Sequence, residues 1–306
     1  MNITRRTILS SAAAGLASAM LAPRMAWAAT EITLGDMRIT TLSDGYLTQP
    51  ADFMFAPMPQ DELAAFLAER GMEREAPLLP ECNLTLVRHE DRVILFDAGS
   101  GPGFMDSVGD LTNALAAVGV DPGDVTHVVF THGHADHLWG VLDDFDDLVF
   151  ANARHMMGRE EHAFWADPAT VDTIGEDRVP MAVGALRRLD ALGDAMEVFA
   201  DGEEILPGIA ARASFGHTPG HMSFELRAGN AGVMVVGDAI LNDHVAFAHP
   251  DWHFGADGDR ALAAQSRAGL LDQLAHEQMT MIGFHLPNGG IGRVERQGEG
   301  FVFVPA

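Results

Sequence analysis

The 306-residue sequence predicts an α/β (α+β) chain built in two successive halves, each made of apolar strand-like runs and helices. Three observations predict it. Residues 125–130, Val-Thr-His-Val-Val-Phe, form a β-branched run that opens directly into Thr131-His132-Gly133-His134-Ala135-Asp136-His137. Further apolar runs at 209–215, 222–227, 232–237 and 279–284 come later, and two of them end at Asp238 and His285. Between the runs lie segments of helical spacing, one over about 107–119 (Leu111, Leu115, Val118) and one over 260–276 (Leu262, Leu270, Leu274). Polar residues just past strand ends are where ligand sites of α/β folds form.

The remaining elements follow in order. Residues 31–41 and 83–97 read as strands, the second a hairpin turned at Glu90-Asp91, with a short amphipathic helix over 60–70 between them. Asp121-Pro122-Gly123 ends the 107–119 helix with turn residues. Residues 142–147, Leu-Asp-Asp-Phe-Asp-Asp, read as a solvated acidic patch, and 151–200 is the least regular stretch. Residues 293–297 and 301–304 form a hairpin around Gly298-Glu299-Gly300. No low-complexity linker interrupts the chain, so residues 29–306 read as one domain with 47% hydrophobic residues to build its core.

The first 28 residues are set apart. Arg5-Arg6 precede an apolar, Ala-rich stretch, and Ala26-Trp27-Ala28 offers a small-x-small cleavage site. This is the pattern of a twin-arginine (Tat) export signal, and it places the mature protein in a bacterial periplasm without a membrane anchor. The full chain carries a net charge of −25, and removing the signal deepens this to about −28. The sequence contains no lysine. That excludes lysine Schiff-base chemistry and argues against nucleic-acid partners, which need a basic surface. The single cysteine, Cys82, forms no intramolecular disulfide and reads as a small buried residue.

The chemistry concentrates in four segments. Residues 132–137 supply three imidazoles and a carboxylate, good ligands for zinc and similar ions. His132 and His134 alternate on an extended segment and can reach one ion; Asp136 and His137 follow where a helix should begin and can face a second. Gly216-His217-Thr218-Pro219-Gly220-His221 is a tight turn able to aim His217 at the ions. Residues 235–238 end a strand in Asp238, and residues 282–285 end another in His285.

In this order the four segments resemble the metallo-β-lactamase superfamily, whose pattern is HxHxDH, a GHTPGH-like histidine, a strand-end Asp and a last His. The resemblance covers about residues 31–306. It implies a four-layer αββα sandwich and two divalent ions, zinc before manganese, cobalt or iron. It places His132, His134 and His217 on one ion, Asp136, His137 and His285 on the other, and Asp238 between them. It leaves His221 outside the ligand set, orienting a ligand, with Asp97 bracing the metal loops. More narrowly, segments 95–99, 164–165, 237–241 and 284–305 resemble the exported methyl parathion hydrolase-like branch. That branch suggests Trp165 as a pocket wall, with Phe164, Trp252 and His253 as further candidates, and a homodimer.

The implied activity is hydrolysis by a metal-bridging hydroxide, with Asp136 and Asp238 as the catalytic carboxylates. The expected substrates are small neutral esters, either phosphotriesters (organophosphates) or lactones. Many acyl-homoserine-lactone lactonases carry a tyrosine three residues after the bridging Asp, where this sequence has Leu241; the only tyrosine is Tyr46. A lactonase of acyl-homoserine lactones, a thioester or sulfur-compound hydrolase, and a non-catalytic periplasmic metal-binding protein stay open as alternatives.

Overall fold

Two seven-stranded sheets, one from each half of the chain, lie at the centre of the computed structural model, which describes residues 30–306. The export signal expected over residues 1–28 lies outside the described residues. The first sheet runs in chain order: β1 (Thr30–Leu34), β2 (Met37–Tyr46), β3 (Glu81–His89), β4 (Arg92–Phe96), β5 (His127–Phe130), β6 (Arg154–Gly158) and β7 (Met196–Phe199). The second does the same: β8 (Glu204–Leu206), β9 (Ile209–Ala213), β10 (Met222–Ala228), β11 (Ala231–Gly237), β12 (Thr280–Gly283), β13 (Ile291–Gln297) and β14 (Gly300–Pro305). The helices are α1 (Ala51–Phe55), α2 (Gln60–Glu69), α3 (Leu111–Ala117), α4 (Ala135–Leu138), α5 (Arg159–Trp165), α6 (Thr170–Thr173), α7 (Val179–Leu192), α8 (Val245–Ala248) and α9 (Arg260–Glu277).

Strands β1 to β4 pair antiparallel, whereas β4 to β7 pair parallel. In the second sheet only β11 and β12 are parallel. The central strands are apolar on both faces because each sheet is covered twice. Val129 faces the other sheet, in a core with Phe96, Phe224 and Val235, while its neighbours Val128 and Phe130 face the helices. This is the two-residue alternation of a strand. Val235 faces inward in the same way, and Met234 and Val236 pack with Leu271 and Leu274 of α9. The result is helices, sheet, sheet, helices: a four-layer sandwich. Each fully buried Val, Leu or Phe contributes about 1.5–3 kcal/mol.

Several expectations shift at the element level. Residues 31–41 are not one strand: the chain turns at Gly35-Asp36 between β1 and β2. The 107–119 helix is shorter and starts at Leu111. The irregular stretch 151–200 holds β6, α5, α6, β7 and the 14-residue α7. No helix among the described residues is long and apolar enough to cross a membrane.

Candidate metal centre

Strand β5 ends at Phe130, and a short loop with bends at Thr131 and His134 leads into α4, which presents Asp136 and His137 from its first turn. Strand β11 delivers Asp238 beside it, the 214–221 turn delivers His217, and the end of β12 delivers His285. The structure thus brings all seven expected ligand residues together.

They converge as two adjoining sets. In the first, Nδ1 of His134 lies 3.0 Å from Nε2 of His132 and 3.0 Å from Nε2 of His217. An Asp238 Oδ2 atom stands 3.4 Å from His217 Nε2 and 3.9 Å from His132 Nε2. In the second, His285 Nε2 lies 3.3 Å from both Asp136 Oδ2 and Asp238 Oδ2, and His137 Nε2 lies 3.2 Å from Asp238 Oδ1 and 3.5 Å from Asp136 Oδ2. Asp238 therefore belongs to both sets.

Two observations test whether these residues fit divalent ions. Ligands 2.0–2.1 Å from a tetrahedral zinc stand about 3.3 Å from one another, and the separations here bracket that value. Asp136 Oδ2, His137 Nε2 and Asp238 Oδ1 are also buried and make no hydrogen bond, which is costly unless a cation takes up those atoms. The nitrogen and oxygen donor set fits.

The electrostatics divide the same way. Burial, together with the neighbouring imidazoles, holds His132 and His134 well below the usual histidine range. In the second set burial is outweighed by carboxylates: Asp238, Asp136 and Asp97 push His137 up to about 10, and Asp238 and Asp136 raise His285 well above its ordinary value. Against burial, His285 and His137 pull Asp238 well below the carboxylate range, and Asp136 is lowered chiefly by His137.

Supporting groups aim each ring. His137 Nδ1 lies 2.8 Å from Asp97, which also accepts from the backbone and hydroxyl of Thr131, as expected of a brace. His285 Nδ1 donates to the Glu81 carbonyl at 2.8 Å. His217 Nδ1 meets Asp257 Oδ1 at 3.0 Å, and Asp257 is in turn held by the buried Arg267 at 2.6 Å. These partners leave each Nε2 free for the centre. His221 acts differently: burial drops it to about 3, so it is neutral, and its Nε2 accepts the Asp238 backbone N–H at 2.9 Å. It fixes Asp238 and has no lone pair to offer an ion. Asp257 and Glu161 escaped the sequence reading because the loop groups they meet, His217 for Asp257 and Gly133, Thr218 and Gly220 for Glu161, lie far away in sequence.

The pocket expectation needs correcting. Trp165 is 1% exposed, so it does not line an open wall; its ring packs edge-on to His134 with centroids 5.7 Å apart. Phe164 is half-buried against Trp165 and the α7-side core. Trp252 stacks on His249 at 4.0 Å and leans on the α9-side core, and His253 is exposed. Cys82 is buried beside Asp136 and His285, and burial pushes its thiol up to about 12.

Comparison with known proteins agrees with this geometry. Residues 79–285 match the family model of the metallo-β-lactamase superfamily. The fold is similar to AidC, a dizinc quorum-quenching lactonase, with a TM-score of 0.84, 28% identity, and coverage of 91% of this chain and 97% of that one. It is also similar to the hydrolase AbOPH of the β-lactamase superfamily, with a TM-score of 0.83, 24% identity, and coverage of 91% and 97%. In sequence the chain is 31% identical over 167 residues to YobT of Bacillus subtilis (strain 168), covering 54% of this chain and 64% of that protein. It is 31% identical over 135 residues to the N-acyl homoserine lactonase AttM of Azorhizobium caulinodans, covering 42% and 47%. Both alignments span less than two thirds of the relatives' own length. The matched residues run from the start of β3 through His285, so they contain both strand-end ligand sets, and the chain belongs to the metallo-β-lactamase superfamily.

Proposed function

We propose that this chain is an exported dinuclear lactonase that opens small neutral lactones, acyl-homoserine lactones first among them. The observation that carries the reading is the pair of adjoining ligand sets joined by Asp238, in a fold similar over nearly its whole length to a dizinc lactonase. His132, His134 and His217 would hold one ion, and Asp136, His137 and His285 the other. Two bound divalent ions supply an acidified water and polarise the substrate carbonyl.

The chain's own residues do the rest. Asp238, fixed by the His221 contact to its backbone, keeps the two sets in register. Asp136 Oδ2, buried and without a hydrogen bond, is placed to accept a proton from the attacking water and return it to the leaving alkoxide. Leu241, where many lactonases have tyrosine, is buried in the α9-side core, so no phenol stands at that position. Export through the twin-arginine pathway belongs to the same proposal, since the Arg5-Arg6 signal precedes the domain.

The methyl parathion hydrolase-like segments keep a phosphotriesterase reading as the competing outcome. The test compares turnover of an acyl-homoserine lactone with that of an aryl phosphotriester, each with an Asp238→Ala control. Lactone turnover should dominate and fall to background in the variant. Dominant phosphotriester turnover would overturn the lactonase reading and place the enzyme with the organophosphate hydrolases.

A further inference from the structure

The three-histidine set poses a mechanical problem. The Nε2 atoms of His132 and His217 each sit 3.0 Å from His134 Nδ1, although His134 and His217 lie 83 residues apart in sequence. Something outside the rings must hold the two loops together, because preorganised ligands need locked supports.

We propose that Glu161 is that support: a positioning residue whose single carboxylate clasps the His132–His134 loop to the His217 loop. Its Oε1 accepts the Gly133 backbone N–H at 2.8 Å and the Trp165 Nε1–H at 2.6 Å. Its Oε2 accepts the Thr218 hydroxyl at 2.7 Å and the Gly220 backbone N–H at 2.9 Å. Glu161 is 0% exposed, and the four donors offset part of the cost of burying its charge. One oxygen serves each loop.

Helix α5 supplies the geometry. Glu161 and Trp165 are four residues apart and share one face. A Cβ on Gly133 would stand 2.4 Å from the Trp165 ring, and one on Gly220 would stand 2.1 Å from the Glu161 backbone nitrogen. Both loops therefore touch α5 at distances only glycine allows. The glycines inside the two histidine motifs are docking points for this helix as well as turn residues.

The clasp acts on one half of the centre. Glu161 makes no hydrogen bond to Asp97 or Glu81, which aim His137 and His285 in the other half. The inference rests on the two-ion reading of the site but not on the substrate. Glu161→Gln sharpens it. The amide nitrogen would settle against Thr218, whose hydroxyl can turn to accept, and would leave the Gly220 N–H unpaired. The His217 side should loosen while the Gly133 side holds.

The experiment loads wild type and Glu161→Gln with cobalt and follows the ring N–H protons shifted by the metal. It also measures the affinity of each ion and the amide exchange of Gly133 and Gly220. In Glu161→Gln the first ion should bind about 10–100-fold more weakly. The His132 and His217 signals should fade while those of His137 and His285 remain, and Gly220 should exchange faster than Gly133. Unchanged affinity, or equal loss at both sites, overturns the proposal. If Glu161→Gln does not fold, Thr218→Val removes one donor and no charge, and should weaken the same ion by about 2–12-fold, the usual worth of one hydrogen bond. No change there also overturns it. A wild type that binds fewer than two ions removes the two-ion reading and this inference together. A wild type that binds two, with both variants unchanged, removes the inference alone.

Discussion

The two halves of the centre share Asp238 but are built on opposite electrostatic plans. In the His132, His134, His217 half, burial pushes His132 and His134 well below the usual histidine range. The Asp136, His137, His285 half holds its own positive charge, with His137 raised to about 10 and His285 raised well above its ordinary value beside two carboxylates. The first half waits for a cation. The second has internal protons where a cation would sit, and must release them to bind one. Histidines thus present two different sites, and the difference comes from where the carboxylates lie.

The largest expected effect follows from those protons. Because metal ligands must be deprotonated, the second ion should bind more tightly as pH rises from 6 toward 10, by up to about tenfold per pH unit for each proton released. The first ion should show almost no such dependence above about pH 7.5, where even an unperturbed imidazole is mostly neutral. Calorimetric metal titrations at several pH values, in buffers of different protonation heat, would count the protons for each ion. Near pH 6 the protein should carry one ion per chain. Equal proton release at both steps would erase the contrast between the halves.

A smaller effect separates the braces. Asp97 holds His137, and Asp257 holds His217. Asp97→Asn should weaken the second ion by about 10–100-fold and spare the first, whereas Asp257→Asn should do the reverse, as is typical for outer hydrogen-bond partners of a ligand. Metal retention after dialysis against a graded chelator would read both. If either variant loses both ions together, the halves are coupled through Asp238 more strongly than their separate supports imply.

How much of this was legible in the sequence depends on how far each signal travels along the chain. The seven ligand residues lie in short motifs at strand ends, and each motif carries its own local pattern. The two-half alternation of strands and helices was legible for the same reason. What failed was information held across the fold. The resemblance suggests Trp165 as a pocket wall, whereas in the fold its ring is packed against the Gly133 loop, where a Cβ would stand 2.4 Å from it. Glu161 and Asp257 look like ordinary surface acids until distant donors surround them. Helix α7 hid behind Pro180 and Gly184. The proline falls in the first turn, where it is tolerated, and a Cβ on Gly184 would stand 2.0 Å from the Trp139 ring.

The smallest expected effect is on the stability of the metal-free protein, and here the two halves pull in opposite directions. His137 has a folded value near 10 against an unfolded value near 6.5. Its contribution is fully present below pH 6.5, where both states hold the proton, and is lost as pH rises toward 10 because only the folded state keeps it. His132, His134 and His221 are lowered, the last to about 3, so their neutral burial favours the fold above 6.5 and works against it as pH falls and the unfolded chain takes up protons. The metal-free protein should therefore be most stable near pH 6.5, with Tm falling on both sides. Bound metal reverses the alkaline slope, because an ion in place of those protons is held more tightly as pH rises. Thermal melts from pH 5 to 9.5, with and without chelator, would show the two Tm curves diverging above pH 6.5. Parallel curves would mean that the protons of His137 and His285 are not what the second ion displaces.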